Sequence, residues 1–128
     1  MFVDNNSNPL GFRRGDCVVR ALAKILRQSW DRTFIELCLQ GFLMADMPNS
    51  NDVWQEYLWA KGYRRHKIYN EDPEAYTVED FCRENPRGRY VLGIKGHVVA
   101  VIDGQYIDAW DSGDTEPIYY WKKREVKR

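Results

Sequence analysis

Three residues of this chain have the side-chain types and the spacing of a nucleophilic thiol site. Cys17 follows Gly15-Asp16, a turn residue and a helix N-cap type, and precedes an apolar run, so its thiol is predicted on the first turn of a helix. His97 lies 80 residues further along at the start of a predicted strand, and Asp108 lies on the next one. A cysteine with a distant histidine and carboxylate is the pattern of a nucleophile, its proton acceptor and the group that orients the acceptor.

The relative position of the histidine and the carboxylate depends on a predicted hairpin. Asp103-Gly104, between two runs rich in β-branched residues, is a strong signal for a two-residue turn. In that register His97 lies opposite Trp110, and strand alternation puts Asp108 on the same face as His97. Asp111 falls on the other face, so Asp108 is the predicted third member of the site. A β-bulge would exchange the two carboxylates, and Asp111 therefore stays as the alternative.

Helical patterns fill the first half of the chain and strand patterns fill the second, which predicts an α+β fold. The helices are predicted over residues 16–28, from an N-cap at Asp31 to about Met44, from Asn51 to Gly62, and from a capping box at Thr77. The strands are predicted at 63–69, 89–95, 98–102, 105–110 and 118–121, with the later ones forming an antiparallel meander. The apolar helix that carries the thiol is expected to cover one face of the hairpin.

Composition limits the classes of protein that fit. The chain has 128 residues, which predicts one domain over 1–128, and 19 basic residues balance 19 acidic ones, so neither nucleic acid nor an anionic membrane is an expected partner. The chain shows no signal-peptide pattern and no apolar stretch near the roughly 18 residues that span a bilayer.

Cysteine usage indicates the cellular compartment and argues against a metal. Three cysteines form no disulfide framework, so a reducing, cytoplasmic setting is expected, with Cys38 and Cys82 as small buried hydrophobes. No ligand-spaced group of cysteine and histidine is present, and no metal or other cofactor is predicted.

The site residues resemble those of the papain-like cysteine peptidases. Asp16-Cys17 opens a central helix, His97 opens a valine-rich strand, and Asp108-Ala109-Trp110 is similar to the Asn-Ser-Trp of papain, with Asp in place of Asn. The Asp-Cys start and the small size are most similar to the leader-peptide peptidases of bacterial bacteriocin exporters. The resemblance covers residues 15–23 and 90–111.

This resemblance implies a single papain-like domain, in which N-terminal helices, with the Cys on a central helix, pack on a C-terminal antiparallel β-sheet. It also implies a cysteine-dependent hydrolase of the peptidase or isopeptidase type. Its triad would be Cys17, His97 and Asp108, and its substrate a peptide or protein amide bond.

Two family features differ in this chain, and alternative functions stay open. Cys17 is followed by Val18, where papain has Trp and the leader peptidases have Gly. Papain-like enzymes carry a Gln shortly before the nucleophile that donates to the oxyanion, whereas residues 10–14 hold neither Gln nor Asn. Asn8 is the nearest upstream amide, and the backbone N–H of Cys17 is the other candidate donor.

An acyltransferase or a glutamine deamidase would share the acyl-enzyme step. A binding module without activity is the third hypothesis.

The binding-module hypothesis predicts a contact surface away from the thiol. Trp54, Tyr57 and Trp59, together with Arg64-Arg65, would form an aromatic and basic surface for a protein or a single-stranded nucleic acid.

Overall fold

The computed structural model describes residues 1–11, 16–68 and 76–124 and has an α+β fold. Gly15, residues 12–14 and residue 69, on which parts of the sequence analysis rest, lie outside the described residues. Within the described ranges, four helices accompany one mixed sheet of six strands. In chain order the elements are β1 (Phe2–Asp4), α1 (Cys17–Leu26), α2 (Trp30–Met44), α3 (Asn51–Ala60), β2 (Tyr63–Lys67), α4 (Val78–Glu84), β3 (Arg89–Ile94), β4 (His97–Ile102), β5 (Gln105–Asp108) and β6 (Pro117–Lys123).

The sheet has the strand order β1-β5-β4-β3-β6-β2. The strands β3, β4 and β5 form an antiparallel meander, and β6 returns to lie between β3 and β2. At the opposite edge β1 pairs in parallel with β5. The strands β3 to β6 pair with one another antiparallel, as predicted, whereas the parallel edge strand β1 was not predicted. A strand of three residues is too short to show a period in the sequence, and its partner is more than 100 residues away.

The hairpin between β4 and β5 has the predicted register. Ile102 pairs with Gln105, the partners that a two-residue turn requires. Asp103 and Gly104 have φ values of 50° and 77°, which are the positive angles of a type I′ turn. The register of the strands that carry His97 and Asp108 is thus set by these two turn residues.

Helices cover both faces of the sheet. On one face α1, α2 and α3 enclose a core that includes Leu22 of α1 with Val98 and Ala100 of β4, as expected for the helix that carries the thiol. On the other face α4 packs on the side chains of Val99 and Val101. Because β4 alternates between the two cores, both of its faces are buried, and α1 is held firmly against the strand that starts at the histidine.

Two helix starts test the capping predictions. The capping box at Thr77 is confirmed, because its hydroxyl accepts from the N–H of Asp80 while the Asp80 carboxylate accepts from the N–H of Thr77. The N-cap of α2 is Ser29 and not Asp31 as predicted, since the Ser29 hydroxyl accepts from the N–H of Arg32 at 3.1 Å. Asp31 lies in the first turn instead, where its charge is favourable to the helix dipole.

Candidate active site

The thiol lies at the start of α1. Cys17 is the first residue of this helix and is half-buried, and Asp16 occupies the N-cap position. The helix forms because residues 18–26 are rich in Ala, Leu and other apolar residues, six of which, from Val18 to Ile25, are buried. The first N–H groups of a helix have no partners within it and form the positive end of its dipole. A sulfur at this position is therefore stabilised as the thiolate.

His97 and Asp108 form a buried hydrogen-bonded pair. Nε2 of His97 lies 2.6 Å from Oδ2 of Asp108, and the two side chains are 12% and 3% exposed. His97 is the first residue of β4 and Asp108 is the last residue of β5, so the hairpin register brings both to the same end of the two strands. The sequence predicted this pair from the alternation of side chains along the hairpin.

The Cys17 thiol and the His97 side chain interact, and each shifts the pKa of the other. Burial on its own would raise the pKa of the thiol, but hydrogen bonds with His97 and the backbone of Val98, and the charges of His97 and Arg20, outweigh it and lower that pKa. Burial would likewise lower the pKa of His97, but Asp108 and the thiolate raise it to about 9. Both shifts favour the ion pair of thiolate and imidazolium. Because Nε2 bonds to Asp108, Nδ1 is the ring nitrogen left for the sulfur.

Two hydrogen bonds hold the Asp108 carboxylate in place. The hydroxyl of Ser112, which is fully buried, donates to Oδ2 at 2.8 Å, and the N–H of Ala109 donates to Oδ1 at 2.8 Å. Because Ala109 bonds to this carboxylate, β5 ends at Asp108 and not at Trp110 as predicted. The sequence analysis missed Ser112, whose only signal is a serine in the turn that follows a strand.

Arg20, one turn after the thiol, is buried between two carboxylates. Its side chain forms an ion pair with Asp16 and lies 3.7 Å from Oδ1 of Asp108. An arginine on the polar stripe of an otherwise apolar helix is typical of a solvent-facing residue, so the sequence did not indicate this position. The guanidinium adds positive charge beside both the thiol and the carboxylate.

The Asp16 side chain does not cap α1, although an N-cap type at this position was predicted. Its backbone has φ −108° and ψ 23°, outside the extended region that lets a cap side chain reach the helix N–H groups, and no such bond forms. The carboxylate accepts instead from Arg20, from Asn8 Nδ2 at 3.2 Å and from Trp30 Nε1 at 3.0 Å. Three side-chain donors thus bind this carboxylate, and none of them is an N–H group at the start of α1.

Trp110 lies beside His97 as predicted, but Trp110 and Asp111 follow the end of β5, beyond the paired residues of the hairpin. The rings of Trp110 and His97 have centroids 4.8 Å apart, and the indole, 45% exposed, covers the imidazole. Asp111 accepts from the hydroxyl of Tyr106 at 2.7 Å and from the N–H of Gly113 at 3.0 Å. This geometry favours Asp108 as the partner of His97 and gives Asp111 a role within the turn.

A small recess lies beside the thiol. It has a volume of about 220 Å³, counting space open to solvent, and its lining includes Asn5, Ser7, Cys17 and Asp108. Asn5 Oδ1 and Ser7 Oγ are buried there without a hydrogen-bond partner among the described residues. A water molecule or a polar ligand group would satisfy both atoms. Asn8, the nearest upstream amide, is occupied by its hydrogen bond to Asp16.

The other cysteines have different surroundings. Cys82 is buried as predicted, and burial raises the pKa of its thiol to about 11. Cys38 is half-buried, contrary to the prediction, and like the other two it is a free thiol. Cys38 and Cys82 therefore serve as internal references for the reactivity of Cys17.

The contact surface of the binding-module hypothesis is not formed as predicted. Trp54 and Tyr57 are 0% and 5% exposed and belong to the core. Trp59 is half-exposed, and the guanidinium of Arg64 lies 3.6 Å from the centre of its ring. The exposed part of this surface is thus this stacked pair together with Arg65, whose guanidinium lies 4.2 Å from the centre of the Tyr119 ring.

No family model, no curated protein and no solved structure matches this chain. Among the described residues, none of the helices has the length and apolar character needed to cross a bilayer. Over the same ranges there is also no group of three or more His, Cys, Asp or Glu side chains that would hold a metal ion. The site is therefore interpreted from its own geometry.

Proposed function

We propose that the chain is a cysteine-dependent hydrolase that cleaves an amide bond in a peptide or protein. The observation that supports this function is the chain of interactions from Cys17 at the start of α1 through His97 to Asp108, in which the imidazole is hydrogen-bonded to the carboxylate at 2.6 Å. Along this chain the pKa of the thiol is lowered and that of the imidazole is raised. A thiolate at neutral pH is the form of cysteine that attacks a carbonyl carbon.

The proposed reaction has two steps. In the first, Cys17 Sγ attacks the carbonyl carbon, the C–N bond breaks, and the proton of His97 passes to the leaving amine, which leaves a thioester. In the second, water attacks the thioester, His97 accepts the water proton, the acid is released and the thiolate returns. Asp108 holds the proton on Nε2 and so directs Nδ1 to the sulfur. N–H groups at the start of α1 stabilise the oxyanion.

A papain-like arrangement and a single domain over 1–128 are part of the proposal. Its support is a thiol at the start of a helix that packs on a sheet, with the histidine and the carboxylate on adjacent strands of that sheet. Two features differ from the expected family: the parallel edge strand β1, and the orientation of Asn8 toward Asp16. Without an amide side chain at the oxyanion, we expect hydrolysis to be slower by about 10²–10³ than in a complete site. Three free cysteines support a reducing, cytoplasmic setting.

Thiol labelling tests the proposed nucleophile. At pH 6 we expect iodoacetamide to modify Cys17 at least about tenfold faster than Cys38 or Cys82, because the pKa of the Cys17 thiol is lowered, whereas burial raises that of Cys82. Peptide mapping by mass spectrometry gives all three rates in one sample. His97→Ala should remove the difference while the protein stays folded by circular dichroism. Equal rates for the three cysteines, unchanged by His97→Ala, would contradict the proposal.

A mixed peptide library tests which nucleophile takes the acyl group from the Cys17 thioester. The library is incubated with the reduced wild-type protein, and the products are identified by mass spectrometry. Hydrolysis gives two shorter peptides, whereas acyl transfer and deamidation give a changed mass without cleavage. The Cys17→Ser variant is the matched control. Its products must be absent under the conditions in which the wild-type protein forms them.

A further inference from the structure

The helix α2 has two apolar faces, and only one of them is covered. Thr33, Leu37 and Gly41, spaced by four residues, are buried against the core. On the opposite side lie Ile35, Leu39, Phe42 and Leu43, which are 66%, 59%, 81% and 71% exposed. At 3.6 residues per turn these four side chains fall within an arc of about 100°. We call them the outer stripe of α2.

The outer stripe is larger than the apolar patches of ordinary monomers. Met47, 67% exposed, extends it beyond the end of the helix. With ~200 Å² for a fully exposed large apolar residue, the five side chains present roughly 700 Å². The largest patch on a typical monomer is about 300–600 Å², and a stable interface buries about 800 Å² on each partner. An area of this size indicates a protein interface.

We propose that the outer stripe is the interface of a homodimer in which two copies of α2 pack antiparallel. The positions Arg32, Ile35, Leu39, Leu43 and Asp46 are spaced 3, 4, 4 and 3, so the pattern reads the same in both directions. A two-fold axis at Leu39 therefore places Ile35 against Leu43 of the second copy and Leu39 against itself. The self-complementary pattern is what a symmetric interface requires.

The charged residues at the two ends of the outer stripe also favour a second copy of this chain as the partner. Within one chain Arg32 pairs with Glu36 at 2.9 Å, and the Asp46 carboxylate accepts from Met47 N–H and the Ser50 hydroxyl. In the antiparallel pair Arg32, whose side chain is 64% exposed, also meets the exposed Asp46 of the second copy, twice by symmetry. The position of Asp46 is fixed, because its N–H donates to the carbonyl of Gly41 at 2.9 Å. Gly41 is needed there, since a Cβ on it would lie 2.6 Å from the Asp46 carbonyl oxygen.

A membrane surface is a poorer match for this helix. Helices that lie on anionic bilayers have Lys and Arg along their polar flanks. The helix α2 has one basic residue, Arg32, against two acidic ones, Asp31 and Glu36, and Asp46 follows it. The acidic flanks would be repelled by anionic lipid, whereas each acidic end of the stripe has a basic counterpart on a second copy.

Sedimentation velocity of the whole chain over a concentration series tests the interface. We expect a reversible dimer with a Kd in the micromolar range, because the area is slightly below that of a standard interface. Leu39→Glu puts two carboxylates face to face at the two-fold axis and should raise Kd by about 100-fold or more. Leu10→Glu makes the same change at an apolar side chain of similar exposure, 72%, outside the stripe, and should leave Kd unchanged.

Charge reversal tests the antiparallel register. Arg32→Asp and Asp46→Arg should each raise Kd about fivefold, and the double variant should restore it, since the opposite charges then face each other again. Circular dichroism and thermal melts of every variant confirm folding. A monomer at all concentrations, or a dimer unaffected by Leu39→Glu, would overturn the interface. A monomer that cosediments with phosphatidylcholine vesicles would assign the stripe to a membrane and overturn it as well.

Discussion

Replacement of the buried carboxylate by an amide tests the electrostatic basis of the site. Asp108→Asn keeps a hydrogen-bond acceptor near Nε2 of His97 but removes the negative charge. Two unit charges about 4 Å apart at an effective dielectric constant of about 20 attract by roughly 4 kcal/mol. The amide still accepts a hydrogen bond, and the positive charge of Arg20, 3.7 Å from the carboxylate, already offsets part of this attraction. The imidazolium therefore loses about 2 kcal/mol of stabilisation in the variant. That shifts the equilibrium from ion pair to neutral pair by about 30-fold.

The sign of the effect follows from the two coupled groups. Without the carboxylate the imidazolium is less stable, so the pKa of His97 falls from about 9 and the pKa of the Cys17 thiol rises toward its ordinary value. The rate of Cys17 alkylation, measured from pH 4 to pH 10 by mass spectrometry, should fall about tenfold or more at pH 6 and recover at high pH.

Asp111→Asn is the matched control for this measurement. The change is chemically the same three residues further on, where the carboxylate bonds to Tyr106 and Gly113 and not to His97. We expect its pH profile to match that of the wild-type protein. A folded Asp108→Asn variant with an unchanged profile, or a shift caused by Asp111→Asn alone, would refute the reasoning.

Three further substitutions probe the surroundings of the site and the helix pair α2–α3. Trp110→Ala should slow Cys17 alkylation at pH 6, because the indole shields the hydrogen bond between His97 and Asp108 from water. It should cost less than about 1 kcal/mol in stability, because the indole is half-exposed; labelling and urea titration check the two effects. Ser112→Ala should cost about 1–2 kcal/mol in urea titration and slow the same alkylation, because Asp108 loses a buried donor. Hydrogen bonds from the Tyr57 hydroxyl and from Arg32 lower the pKa of Glu36 from 4.5 to about 2. The contribution of Glu36 to the free energy of unfolding is therefore complete above pH 4.5 and is lost as pH falls through 2. Glu36→Gln should therefore be less stable than the wild-type protein by up to about 1 kcal/mol at pH 7 and equally stable below pH 2.

The parts of the fold that follow local rules were predictable from the sequence. The hairpin register follows from Asp103-Gly104, since both residues tolerate positive φ and the two-residue loop leaves one pairing. The pairing of His97 with Asp108 follows from that register and from strand alternation. These inferences needed no knowledge of what packs on the hairpin.

The parts that depend on contacts distant in the sequence were not predictable. The strand β1 is identified only by its partner β5, and its three residues carry no pattern of their own. Arg20 is buried because two carboxylates from separate parts of the chain meet on it, which a helical wheel cannot show. Asp16 fails as a cap for the same reason, since its donors include Trp30 of the next helix.

The distance along the chain between the thiol and its histidine makes reactivity depend on folding. Cys17 leaves the ribosome 80 residues before His97, roughly 4–16 s earlier at 5–20 residues per second. During that interval the thiol has the ordinary pKa of an unstructured cysteine and is largely protonated. On the proposed function we expect reactivity at pH 6 to appear only once the hairpin has docked on α1, so a short pulse of alkylating reagent should label folded molecules and leave nascent ones unmodified. The same pulse applied during refolding would measure the rate at which the two halves of the chain come together.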